Sequence, residues 1–108
     1  MNVKNNKRRR ESQEKIERAF IELLQTHDIK EMTVSDIIKN TGLNRSTFYA
    51  NYIDIFDLAD KTREKLENEF SNLFADYDYF NEGSGALKMF THIKENQLFY
   101  KTYFKLCY

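Results

Sequence analysis

The chain has 108 residues, of which 31% are charged and 41% hydrophobic. That is the makeup of a folded domain with a modest core, not of a disordered segment. Seventeen cations balance seventeen anions, so net charge points to no partner, and the single Cys107 excludes an internal disulfide and any multi-cysteine metal site. No apolar run approaches the ~20 residues needed to span a bilayer, and no apolar stretch follows the N-terminal charges as in a signal peptide. The expectation is a cytoplasmic protein with no membrane partner, no metal and no cofactor.

No proline and only three glycines occur in the chain, which predicts an all-α fold. Charge is unevenly placed. Residues 1–10 hold Lys4, Lys7, Arg8, Arg9 and Arg10 and no acid, whereas residues 11–60 hold five cations against ten acids. Residues 1–10 therefore read as a basic disordered arm, with Lys7, Arg8, Arg9 and Arg10 as candidate phosphate contacts. The plainer reading is a solvated tail.

Ile16, Ala19, Phe20, Leu23 and Leu24 then form the stripe of an amphipathic first helix, capped at Ser12 and ending near 26–28. Thr33 is predicted to cap a second helix whose inner face is Val34, Ile37 and Ile38, with Asp36 completing a capping box. Gly42 suits the left-handed residue after that helix, and Leu43 fills the corner. Asn44 caps a third helix running to Asn51 or Tyr52. Asp54 caps a long fourth helix with Leu58, Ala59, Thr62, Leu66, Phe70, Leu73 and Phe74 inward, ending near 77–81. Gly83-Ser84-Gly85 reads as a linker, followed by helices over 86–94 and from 95 to the end. Eleven of the sixteen aromatics lie from Phe70 onward, which reads first as packing between helices and second as the lining of a ligand pocket.

Residues 33–52 have the layout of a helix-turn-helix that presents its second helix to the major groove of DNA. At about 100° per residue, Phe48 and Tyr52 share the buried face of that helix. Ser46, Thr47 and Ala50 point the other way, and their small size lets the backbone approach base edges. Tyr49 and Asn51 flank this face, within reach of phosphate oxygens. Arg45 is the side chain long enough for a paired contact to guanine. Thr33 and the free amides at the start of the second helix suit a phosphate. Taken singly, Asn44, Ser46 and Thr47 are also ordinary capping and first-turn residues, and Tyr49 an ordinary half-buried aromatic.

Residues from about Glu14 to Leu66 resemble the DNA-binding domain of the TetR family of bacterial transcriptional regulators. The likeness rests on the first-helix stripe, T-V-x-x-I before the turn, G-L-N-R-S-T-F-Y-x-x-Y, and D-x-F-D-L opening the fourth helix. It implies a three-helix, homeodomain-like bundle over 11–53, a connecting helix over 54–82 and the start of a regulatory domain over 83–108. It implies contacts to double-stranded DNA from Thr33, Arg45, Ser46, Thr47, Tyr49 and Asn51, beside which the cap Asn44 is a further candidate, and the work of a transcription regulator, with repression expected. Three positions depart from the family. Ile38 replaces a small residue at the helix crossing, Ile55 a common phosphate-binding lysine, and Asn51 a frequent histidine.

Past Gly83, F-x-x-I-K-E-N-x-x-F-Y resembles the opening of the family's regulatory domain more loosely. There the resemblance implies a homodimer in a longer form, weak or absent in a chain stopping at Leu106-Cys107-Tyr108, and a small-molecule effector that nothing identifies.

Three rivals bear on function. An enzyme lacks support, since no cysteine–histidine, serine–histidine or metal-spaced set exists. A protein-interaction module would use the helix-turn-helix as scaffold and grip its partner with the aromatic C-terminal helices. RNA binding lacks the stacking aromatics on a sheet that it commonly uses.

Overall fold

The structure is a computed structural model that describes residues 3–74 and 85–107. The described residues form six α-helices and no strand. They are α1 (Val3–Leu24), α2 (Val34–Ile38), α3 (Arg45–Asn51), α4 (Ile55–Phe74), α5 (Gly85–Glu95) and α6 (Gln97–Leu106), with a short 3-10 turn at Ile29–Glu31 between α1 and α2. The all-α expectation holds. The end of the fourth helix near 77–81 and the linker at Gly83-Ser84 lie outside the described residues, as do the side chains of Leu73 and Phe74.

The chain divides into two compact units, residues 1–60 and 61–108. The helix α4 is unbroken over its described residues, with its opening in the first unit and its remainder in the second.

In the first unit, α1, α2 and α3 pack around one core. Ile16, Phe20, Ile37, Phe48 and Leu58 are buried completely, with Leu24, Ile29, Met32, Val34, Tyr52, Ile55 and Ala59 around them. Ala19, Leu23 and Ile38 are half-buried at its edge. Residues 3–10 are helical where a disordered arm is expected, because α1 begins at Val3. No glycine or proline interrupts residues 3–24, and Lys, Arg, Glu and Gln are good helix formers. The helix nucleated by the buried stripe therefore propagates backward through the basic run, and Ser12 lies inside it rather than capping it.

The turns follow their side-chain chemistry closely. Asp28 accepts from the Lys30 N–H at 3.2 Å and starts the 3-10 turn. The Asp36 N–H donates to Thr33 Oγ1 at 3.1 Å, and the Thr33 N–H donates to Asp36 Oδ2 at 3.0 Å, which completes the expected capping box. The Asp57 N–H donates to Asp54 Oδ1 at 2.8 Å at the head of α4. Between α2 and α3, Gly42 adopts φ +76°, the left-handed region where side chains are strained. Thr41 holds the same corner: its hydroxyl donates to the Ile38 carbonyl at 2.7 Å and accepts from the Leu43 N–H at 3.1 Å.

In the second unit Thr62, Leu66, Thr102 and Leu106 are buried. Phe70, expected inward, is 40% exposed, while Leu87, Phe90, Leu98 and Phe104 are each more than half exposed. Phe70 and Tyr100 meet edge to face at 5.9 Å. Tyr103 donates to Glu67 Oε1 at 3.2 Å. The neighbouring Cys107 thiol and the Glu67 carboxylate push the Tyr103 phenol up to about 12. Phe70, Ile93, Phe99, Tyr100, Tyr103 and Phe104 line most of an apolar pocket of about 480 Å³. No described helix is long and apolar enough to cross a membrane.

Candidate nucleic-acid interface

The third helix is only seven residues long, too short to persist without tertiary support. Phe48 anchors it. Its ring is buried completely and meets Tyr52 at 5.5 Å and Tyr49 edge to face at 5.3 Å. Tyr52 is 4% exposed, and burial, with Glu17 and Asp57 nearby, pushes its phenol up to about 12, so it stays neutral. With these two rings turned into the core, Arg45, Ser46, Tyr49 and Ala50 are exposed on the other side and Thr47 is half-buried. The sequence expectation for this helix is met in its start, its end and its buried face.

The start of α3 is fixed by Asn44. Its side-chain oxygen accepts from the Thr47 N–H at 2.9 Å and from the Thr47 hydroxyl at 3.0 Å. Arg45 is exposed, and its Nη1 donates to Ser35 Oγ at 2.7 Å. That bond ties the longest side chain of α3 back to α2 and orients the guanidinium before any ligand arrives. Ser35 carried no signal in the sequence: a serine in the first turn of a helix is ordinary.

At the other end of α3, Asn51 is half-buried and bonded within the fold. Its Oδ1 accepts from Arg9 Nε at 3.2 Å and from Gln13 Nε2 at 3.1 Å, and its Nδ2 donates to the Thr47 carbonyl at 2.8 Å. The basic run on α1 thus reaches the candidate helix as helix, not as a loose arm. Lys7, Arg8, Arg9 and Arg10 are all exposed.

A groove of about 420 Å³ brings together Arg8, Arg9, Ser12, Asn44, Ser46, Thr47, Ala50 and Asn51. Two arginines, three hydroxyls and two amides around one concavity form a surface suited to an anionic, hydrogen-bonding ligand. Lys7 and Arg10 do not line it, because at 100° per residue they fall on the opposite side of α1 from positions 8, 9, 12 and 13. Arg45, Tyr49 and Thr33 also lie outside the groove. Tyr49 is half exposed, and the Thr33 hydroxyl is already engaged by the α2 cap. Ile55 is buried at the head of α4, so its side chain offers nothing to a ligand.

No protein-family model matches the chain, and no solved structure matches it. A curated protein of Lactococcus lactis subsp. lactis (strain IL1403), the HTH-type dhaKLM operon transcriptional activator DhaS, is 32% identical over 99 residues. The match covers 86% of this chain and 49% of that protein, so the chain spans about half the length of the curated relative it matches.

Proposed function

We propose that this chain is the DNA-binding part of a transcription regulator of the TetR type, which reads double-stranded DNA with α3. The observation that carries the reading is the division of α3 into two sides. Phe48 and Tyr52 fix the helix to the core while Ser46 and Ala50 stay exposed, so a short helix of small polar side chains is offered to a groove. The likeness to a helix-turn-helix activator supports the same reading.

In this reading Arg45 contacts a base, Ser46 and Thr47 approach base edges, and Tyr49 contacts a phosphate. Thr33 with its neighbouring amides flanks a second phosphate. The basic turns of α1 carry further phosphate charge. The working protein pairs two copies on two half-sites. It works in the cytoplasm, and a small-molecule effector acts through the second unit. Repression is the expectation from the family resemblance, whereas the relative is named an activator; reporter transcription with and without the protein reads the sign.

Selection of bound duplexes from random sequence, followed by titration against matched and scrambled duplexes, tests this. Arg45→Ala should narrow the ratio of matched to scrambled affinity, by a loss of about 1–3 kcal/mol of discrimination. Tyr49→Phe should weaken both duplexes alike. Affinity should fall steeply with salt. An equal effect of Arg45→Ala on both duplexes would refute base reading, and salt-independent binding would favour an apolar protein partner.

A further inference from the structure

The last turn of α3 is held by side chains from far back in the chain. Arg9 Nε donates to Asn51 Oδ1 at 3.2 Å, and Arg9 Nη2 donates to the Ala50 carbonyl at 3.4 Å. Gln13 Nε2 donates to the same Asn51 oxygen at 3.1 Å. Asn51 in turn donates to the Thr47 carbonyl, which closes the last turn on itself at 2.8 Å. Arg9 and Gln13 are four residues apart, so they lie on one face of α1 and converge on one acceptor. Arg8 lines the same groove, is exposed, and makes no hydrogen bond to any described residue. Two adjacent arginines thus have different occupations.

We infer that Arg9 and Gln13 are positioning residues, which hold the end of α3 through Asn51, while Arg8 beside them is the arginine left to meet phosphate. A seven-residue helix has few internal bonds of its own. Its final backbone bond, from the Tyr52 N–H to the Phe48 carbonyl at 2.9 Å, opens easily unless the turn is pinned from outside. Reading bases requires the helix to be held within about half an ångström of its working position. A loosened last turn lets Ala50 drift, and the fit to a matched site suffers more than attraction to any duplex. The role in recognition rests on the DNA reading above; the clamp itself exists in the free protein and is measured there.

The test uses the full chain and the variants Arg9→Lys, Gln13→Ala, Asn51→Ala, Arg8→Ala and the first two each combined with Asn51→Ala. Arg9→Lys keeps the charge but loses the fork, and Gln13→Ala involves no charge at all. In the free protein, hydrogen exchange at the Tyr52 amide should quicken about two- to fivefold in both, the scale of exposed polar contacts. Gln13→Ala should add nothing to Asn51→Ala, because both act through one acceptor, whereas Arg9→Lys should keep a small further effect through the Ala50 carbonyl. With selected duplexes, Arg9→Lys and Gln13→Ala should lower the ratio of matched to scrambled affinity about two- to fivefold and leave the salt slope unchanged. Arg8→Ala should reduce that slope by about 0.9 and leave the ratio alone.

Unchanged exchange at Tyr52 in both single variants overturns the clamp, whether or not any duplex is bound. An affinity ratio indifferent to both variants overturns its role in recognition. Responsive exchange in a chain that binds no duplex sinks the DNA reading instead, and the recognition role with it.

Discussion

Residues 1–60 and residues 61–108 cover their apolar side chains and close their helices in different ways. In the first unit Phe20 and Phe48 are fully buried, and α2, α3 and α4 each begin with a side chain that accepts a backbone N–H. In the second, Phe90 and Phe104 are about 70% exposed, and Asn96 at the head of α6 makes no capping bond. Its amide donates to the His92 carbonyl instead, at 2.9 Å. The contrast teaches where specificity for one fold resides. The first unit has local turn chemistry and burial pointing to the same arrangement, which is the mark of a well-determined structure. The second has helical periodicity with little else to reinforce it.

The largest test of that contrast compares two phenylalanines. Phe48→Ala should cost about 3–5 kcal/mol, enough to unfold the first unit or nearly so. Phe104→Ala should change stability by no more than about 0.5 kcal/mol. Urea titration of both variants by circular dichroism measures the difference, and comparable costs would break the comparison.

Two asparagines at helix starts sharpen it. Asn44→Ala removes an acceptor for both the Thr47 N–H and the Thr47 hydroxyl, at a cost of about 1 kcal/mol. Asn96→Ala removes no cap and should stay within about 0.5 kcal/mol. The same unfolding measurement applies. A loss at Asn96 equal to that at Asn44 would mean that α6 depends on its first residue as α3 does.

The smallest effect is a pH dependence. The Thr33 N–H and hydroxyl beside Asp36 hold its carboxyl below the ordinary value. A depressed folded-state pKa contributes stability that is present above the unfolded value of about 3.9 and lost as pH falls through the folded one. As pH falls below about 4, thermal unfolding of the wild type should therefore drop more than that of Asp36→Asn. Parallel acid profiles would show the capping carboxylate to be without consequence.

How legible each region was follows from the range of the forces that build it. The α2 cap, the glycine turn, the Asn44 cap and the buried pair Phe48 and Tyr52 depend on residues within four positions of each other, so spacing alone exposed them. The backward reach of α1 to Val3 was missed because a run of like charges reads as a tail, although nothing in it breaks a helix. Arg9–Asn51 and Arg45–Ser35 join residues 42 and 10 positions apart, and no periodicity announces such pairs. Phe70 reads as inward from its place on the helical stripe. Its 40% exposure reflects what packs across from it, which the stripe does not encode.

The turn at Gly42 has one more consequence, and it concerns handedness. Its φ of +76° is the mirror of an ordinary helical value, and a methyl group built there would meet nothing within 4 Å. The obstacle to a side chain at this corner is thus chirality alone, not space. L-alanine would be strained there by about 1–2 kcal/mol. D-alanine, introduced by chemical ligation, would sit in its own preferred well and would deny the unfolded chain much of glycine's freedom. It should raise stability by about 0.4–1 kcal/mol, making this corner a place where a mirror-image residue fits better than the natural one.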